Sequence, residues 1–351
     1  VYGLTGKILR VDLTKGKIST DRVAEEDGRT LLGGRGLGAK ILFQDLKPGV
    51  EPLGPENELL FMIGPITGTV IPGNARYCVM CKSPATGGLG EAHAAGYFGP
   101  RLRWAGFDGI ALRGISSEPV YLWAHDGGAE IRKAGKLWGK TTHETEALVK
   151  KEIGEPSASV ASIGVGGENL VMYACVLSDL HRAAGRTGVG AVMGSKRLKA
   201  VAVSGRGSVK VAKEAELRAL AKDVSKRLQT HEGTINMTKH GTPFGVPGLN
   251  SMGILPTKNF QLGAFDQYQN ISGETMSQTI LKSTPTCYAC PVRCIRVVEV
   301  KKGPYKGDFK DGPEYETVAS LGSLLMNGSL EAVAMGNHLC NLHSIDTISA
   351  G

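Results

Sequence analysis

Three thiols fall within eight residues, Cys287, Cys290 and Cys294, in the stretch TCYACPVRC at 286–294. The spacing C-x2-C-x3-C lets a short loop wrap one face of an iron–sulfur cluster, with Pro291 stiffening the turn and main-chain N–H groups left to point at sulfur. A zinc site is the rival. It ordinarily brings a second ligand pair at a longer interval, for which His338, Cys340 and His343 are the later candidates. Three reduced cysteines that are merely neighbours form the blander alternative, and clusters this tight more often mark metal or redox sites. A cubane cluster normally takes four cysteines, so a fourth ligand would come from Cys78, Cys81, Cys175 or Cys340, from an exogenous group or from further polypeptide.

The second chemical signal is glycine beside arginine. Four clusters stand out, GGRGLG at 33–38, GNARY at 73–77, TGGLGEAHAAGYFG at 86–99 and RAAGRTGVGAVMG at 182–194. Glycine lets N–H groups approach an anionic cofactor closely, and an adjacent arginine offers a forked donor suited to phosphate. None of the four supplies the order of strand, G-x-G-x-x-G, helix and later acid that a dinucleotide fold requires. Taken singly, each also reads as the turn glycines of a turn-rich sheet.

The elements that would carry these residues follow from the hydrophobic pattern. Up to about residue 205 the chain is a series of short apolar runs broken by Gly, Pro and Asp; those at 7–13, 59–63, 77–80, 109–113, 120–123, 160–163, 172–176 and 200–203 have strand length and strand residues. Helical patterns there are few, one over 32–43 and one over 142–153 with Thr142 or Thr145 available as cap. After Gly207 the texture changes. Leu217, Leu220, Ala221, Val224 and Leu228 share one face of an amphipathic helix over 213–229, and 315–340 reads as helical with Val318, Leu321, Leu325, Ala334 and Leu339 inward. The pattern predicts an α+β chain, a β-rich domain over 1–208 followed by a mainly α-helical domain over 209–351.

Composition narrows the class. A chain of 351 residues, 41% apolar and 21% charged, is an ordinary globular protein of about two domains. Seven cysteines in no regular framework suit a reducing compartment; no secretory signal or apolar span is read, and the expectation is a cytoplasmic protein with no membrane span. The net charge of +8, with Lys196, Arg197 and Lys199 close together, raises nucleic acid as a partner. Basic residues are otherwise dispersed, however, and aromatics are not interleaved with them, so a solvated basic surface facing an acidic redox carrier is expected instead.

Taken together, GGRGLGAK at 33–40, GPITG at 64–68, GYFG at 96–99, RAAGRTGVGAVMGSKRL at 182–198, LPTKNF at 255–260, the cysteine loop, GPEYET at 312–317 and DTIS at 346–349 resemble the tungsten-containing aldehyde:ferredoxin oxidoreductase family, in register from end to end. The resemblance implies a β-rich pterin platform covered by helical domains, a tungsten (or molybdenum) bis-pterin with one iron–sulfur cluster of the 4Fe-4S type, and oxidation of a small aldehyde to the carboxylic acid with ferredoxin or a similar electron carrier as acceptor. It further implies a homodimer or a subunit of a larger redox complex. Carried onto this chain, Arg76 would lie between pterin and cluster. His93, Ala95 and Gly96 would form the pterin-contacting turn, and Arg182, Ala183, Gly185 and Arg186 would hold pterin phosphate. Asn341 and Asp346 would stand in an aspartate motif, Cys287, Cys290 and Cys294 would ligate the cluster, and Glu314 or Glu316 would exchange protons near the metal.

Some positions depart from the family pattern. His93 and Ala95 replace residues that permit close pterin approach, Asn341 brings no charge, and Ser344 stands where a glycine's freedom in φ is expected. The family usually continues beyond the last residue here, with a second aspartate motif, the fourth cysteine and a histidine at the metal. A family member that reduces an aromatic thioester or carboxylate, a noncatalytic iron–sulfur scaffold and a zinc-stabilised nucleic-acid binder are the alternative readings.

Overall fold

The computed structural model describes residues 2–351. They divide into two compact units, one of residues up to Ala221 with Leu342–Ile345, the other of Lys222–Asn341 with Asp346–Gly351. The first unit is built on two six-stranded sheets. Strands β1 (Lys7–Asp12), β2 (Lys17–Arg22), β3 (Leu59–Ile63), β4 (Tyr77–Lys82), β5 (Leu89–Ala94) and β6 (Gly109–Arg113) form one, in the order β2-β1-β6-β3-β4-β5. The other is β11-β10-β9-β12-β7-β8, from β7 (Val120–His125), β8 (Gly128–Lys133), β9 (Ser159–Ser162), β10 (Val176–Ser178), β11 (Arg182–Ala184) and β12 (Leu198–Ser204).

The period of two along each strand decides what each face meets. Leu59, Phe61, Ile63, Tyr77 and Val79 turn inward to a core shared with Leu122, Ala161, Val201 and Val203 of the second sheet. Leu60, Met62, Cys78 and Met80 face the opposite way. After the short helix α1 (Glu25–Thr30), helix α2 (Gly34–Asp45) covers that outer face through Leu37, Ile41 and Leu42. Gly38 permits the close approach, since a Cβ there would lie 2.5 Å from the sulfur of Met80. Past α3 (Phe98–Trp104), helix α4 (Thr142–Ile153) covers the outer face of the second sheet, packing Val149 and Ile153 on Tyr121, Val160, Ala200 and Ala202. Its N-cap is Thr141 rather than Thr142 or Thr145, because only Thr141 can close a capping box with Glu144. Helices α5 (Val165–Glu168) and α6 (Val189–Ser195) complete the unit.

Two expectations are corrected here. The apolar run 172–176 is not a strand; Ala174 makes a single bridge to Ile345, and regular pairing begins at Val176. Lys196 and Lys199, expected on a solvated basic surface, are fully buried. The Lys199 ammonium pairs with Glu168 at 2.5 Å, whereas that of Lys196 donates to the Asn57 carbonyl at 2.5 Å. Burial pushes the Lys196 amine down to about 8.

Helix α7 (Glu214–Thr230) spans the division between the units, and α8 (Glu232–His240), α9 (Val246–Ser251), α10 (Gly273–Thr279), α11 (Tyr315–Leu321), α12 (Leu330–His343) and α13 (Thr347–Ala350) follow it. A small antiparallel sheet of β13 (Leu281–Ser283), β14 (Val297–Val300) and β15 (Gly307–Phe309) joins the second unit's core, where Val298, Val300 and Phe309 meet Val318, Val333 and Ala334. Of the expected inward face of α7 only Ala221 is buried, and Leu220 is half exposed. The predicted helix over 315–340 is broken: α11 stops at Gly322, a 3-10 turn and a left-handed Met326 intervene, and α12 starts afresh. The architecture is thus α+β, β-rich first and mainly helical after. Among the described residues no helix is long and apolar enough to cross a membrane.

Candidate cofactor site

Strand register gathers several predicted residues at one end of the first unit. Tyr77 of β4 pairs with Ala94 of β5, which sets Arg76 beside Ala95, and β11, carrying Arg182 and Ala183, lies against β5. Arg76, His93, Ala183 and Arg186 are exposed, Gly185 is half-buried, and Arg182 is buried. The turn after β5 is fixed by an acid that the sequence reading did not single out. Gly96 has φ +91°, and a Cβ there would fall 2.2 Å from Oδ2 of Asp179 and 3.2 Å from the Arg182 side chain. Glycine at this position is therefore required by Asp179 itself, whatever else approaches the turn.

The Asp179 carboxylate accepts the Tyr97 N–H at 2.6 Å and the Ser159 hydroxyl at 2.6 Å. Burial pushes its carboxyl upward, and these two hydrogen bonds with the nearby Lys150 and Arg182 charges oppose the rise. Asp179 and Leu180 hold left-handed φ of 50° and 65° in the β10–β11 turn. The strain is stabilised from outside, because Glu146 accepts the Leu180 N–H at 3.0 Å and His143 hydrogen-bonds the Leu180 carbonyl at 2.8 Å. One carboxylate thus ties the 95–97 turn to the strand that presents Arg182.

His93 is held on the outer face of β5 by Glu91, which also pairs with Arg35 of the first glycine cluster at 2.5 Å. Partial desolvation would push the Glu91 carboxyl up, but the hydrogen bonds from Arg35 and His93 outweigh it and the net shift is downward. The glycine cluster at 33–38 is therefore linked to His93 by an ion pair.

In the second unit the cysteine loop runs between β13 and β14. The Cys290 N–H donates to the Cys287 carbonyl at 3.2 Å, Thr286 Oγ1 donates to the Cys290 carbonyl at 2.5 Å, and Ala289 and Arg293 turn the chain at left-handed φ of 51° and 53°. All three thiols are half-buried. No three His, Cys, Asp or Glu side chains among the described residues gather to hold a single metal ion, the three cysteines of the loop included. His338 Nδ1 is bonded to the buried Asp311 at 2.7 Å.

Arg296 organises this loop. Its Nη2 donates to the carbonyls of Arg293 at 2.6 Å and Thr238 at 2.9 Å, its Nη1 to that of Lys239 at 3.0 Å, and its own carbonyl accepts the Gly312 N–H at 2.8 Å. The end of α8, the cysteine loop and the GPEYET stretch therefore meet on one residue, the first two on its side chain and the third on its carbonyl. Burial lowers the guanidinium's pKa, while Cys294 and Glu314 act on it in the opposite sense.

Glu314 occupies the N-cap position of α11 and Glu316 its first turn, where both carboxylates are exposed and complement the helix dipole. Asn341 donates its amide to Asp311 at 2.7 Å, and Asp346 caps α13 by accepting the Ile348 and Ser349 N–H groups at 3.3 Å each. Ser344 does adopt the left-handed conformation expected to need glycine, with φ 57°. Its hydroxyl accepts the Gly164 N–H at 2.8 Å and the Gly167 N–H at 3.3 Å, and these bonds offset the strain. Of the residues missed from sequence, Arg296 did leave a signal, an arginine within the apolar run IRVV just before β14; Asp179 left none.

The chain matches the family model described as aldehyde ferredoxin oxidoreductase, N-terminal domain, over residues 8–205, and that described as aldehyde ferredoxin oxidoreductase, domains 2 and 3, over residues 219–351. It belongs to the aldehyde ferredoxin oxidoreductase family. It is 43% identical to the tungsten-containing aldehyde ferredoxin oxidoreductase of Thermococcus kodakarensis and 42% identical to that of Pyrococcus furiosus, in each case over 100% of this chain and 58% of the relative. The chain thus spans less than two thirds of the length of these family members. Among solved structures it is similar to the active site complex BamBC of benzoyl coenzyme A reductase in complex with 1,5-dienoyl-CoA, with a TM-score of 0.84 and 31% identity over 99% of this chain and 54% of that one.

Proposed function

We propose that this family member carries the pterin platform and the iron–sulfur ligand loop of a tungsten-dependent oxidoreductase that converts aldehydes to carboxylic acids and delivers electrons to ferredoxin. The observation that carries the reading is the 43% identity, sustained over the whole chain, to a relative of that name. The platform falls to residues 1–208 and the cluster domain to 209–351.

The donor sets fit these groups. Cys287, Cys290 and Cys294 would hold three irons of one cluster; each cysteine of a cubane takes a different iron, so the thiols need to surround the cluster rather than converge on a point. A buried guanidinium at Arg296 calls for nearby negative charge, which thiolate-ligated iron supplies. Arg186, which is exposed, offers a forked donor for pterin phosphate near the turn that Gly96 and Asp179 fix.

When bound, the metal and the cluster accept two electrons from aldehyde and water and pass them on singly. The chain's own tasks are then to bind and to manage protons. Arg182, Ala183, Gly185 and Arg186 position phosphate, His93 and Ala95 line the pterin turn, Asn341 and Asp346 shape the aspartate motif, and Glu314 or Glu316 takes up the released proton.

Reduction of an aromatic thioester is the second reading, favoured by the likeness to the benzoyl coenzyme A reductase complex. Protein isolated without air should contain tungsten, pterin and iron and reduce a viologen dye with aldehydes. Dye oxidation by an aromatic thioester without aldehyde activity would favour the second reading, and protein with neither pterin nor iron would refute both.

A further inference from the structure

Arg296 is 1% exposed, and every hydrogen bond of its guanidinium ends on a main-chain carbonyl: Ile295, Arg293, Thr238, Lys239 and, at 3.5 Å, Met237. No carboxylate among the described residues lies within ion-pair distance of it, and the exposed Glu314 acts on it only through space. Carbonyl dipoles solvate a cation without neutralising it, and an uncompensated buried charge is costly unless an anion stands near. Arg296 follows Cys294 by two residues and grips the carbonyl of Arg293, between the last two cysteines of the loop and the start of β14.

We propose that Arg296 is a positioning residue that sets the reduction potential of the iron–sulfur cluster, its fixed charge favouring the reduced and more negative form. The proposal rests on the assignment of Cys287, Cys290 and Cys294 as cluster ligands. A cation held at short range in a poorly screened site stabilises an added electron by more than a surface lysine would. The same five-donor fork keeps the loop at the end of α8, so anchoring and charge are two properties of one side chain and can be separated by substitution.

The test is a redox titration of the anaerobically isolated protein, followed by electron paramagnetic resonance, with iron content measured alongside. In Arg296→Gln the charge is lost and the midpoint potential should fall by about 59 mV, a tenfold change for a one-electron couple. Thr238→Asp leaves Arg296 in place and puts a carboxylate where the Thr238 hydroxyl now donates to the Val292 carbonyl at 2.6 Å, on the residue whose own carbonyl accepts from Nη2 at 2.9 Å. It should lower the potential similarly, and it reads the charge if the glutamine variant fails to fold. Arg296→Lys keeps the charge and loses the fork; its potential should stay near the native value while iron is lost faster to a chelator. Native potentials in both the glutamine and aspartate variants, or a lysine variant that falls as far as glutamine, would overturn the proposal while leaving the cluster assignment intact. Native protein without iron would remove the assignment, and the proposal with it.

Discussion

The Asp179 carboxylate accepts the main-chain N–H of Tyr97 at 2.6 Å, across 82 positions of sequence. Through this bond the turn after β5 and the hairpin that carries Arg182 become one piece.

Asp179→Asn should disturb that piece selectively. The amide keeps the size but turns one acceptor into a donor, so either the Tyr97 N–H or the Ser159 hydroxyl loses its partner at a cost of about 1–3 kcal/mol. Tungsten content should fall while iron content is retained, and the Tyr97 amide should exchange faster with solvent. Unchanged tungsten with a faster Tyr97 amide would limit Asp179 to a structural part.

Gly96→Ala should be worse than Asp179→Asn. Its Cβ would meet Asp179 at 2.2 Å, and φ +91° is itself unfavourable for alanine. The paired variant Gly96→Ala with Asp179→Ala removes the collision and should be more stable than Gly96→Ala alone, as measured by denaturant midpoint.

Cys290→Ala should abolish the cluster's absorbance and leave the two six-stranded sheets folded, since the loop lies in the other unit. Full iron content in this variant would remove Cys290 from the ligand set.

Lys196 gives the pH dependence a definite sign. Its amine titrates near 10.5 in the unfolded chain and is pushed down to about 8 in the folded one, so between these values the unfolded state binds more protons. Stability should therefore rise with pH from about 8 to about 10.5, by a few kcal/mol, and the penalty should be constant below that window. In Lys196→Met that rise should be absent; an identical slope in both proteins would show that other groups cause it.

Ser344 separates strain from hydrogen bonding. Ser344→Ala keeps the left-handed φ and leaves the Gly164 N–H without its acceptor, while the Gly167 N–H keeps the Gly164 carbonyl at 3.1 Å, for a loss of roughly 1–3 kcal/mol. Ser344→Gly loses the same bonds and relieves the strain, recovering about 1 kcal/mol. Equal midpoints for the two variants would show that the conformation carries no cost.

What could be read from the sequence was what local pattern determines. The runs at 59–63 and 200–203 announce strands because they are apolar throughout, and α4 announces itself by its cap and period. Strand β2 was not legible because it lies at a sheet edge with exposed side chains, and β5 because glycine and alanine fill it. Lys196 and Lys199 misled for a different reason: their partners, the Asn57 carbonyl and the Glu168 carboxylate, are residues far away in the chain. The cysteine spacing was visible at once, whereas the guanidinium that holds its loop became visible only when the carbonyls of α8 came beside it.

The four residues Leu342–Ile345 belong with the first unit although the chain on both sides of them belongs with the second. On the ribosome, the amides of Cys175 and Gly164 must wait for their acceptors until Ser344 has been synthesised. A fragment cut at Ala221 would be missing a stitch, and the two halves of this polypeptide are expected to reach their final form together rather than one after the other.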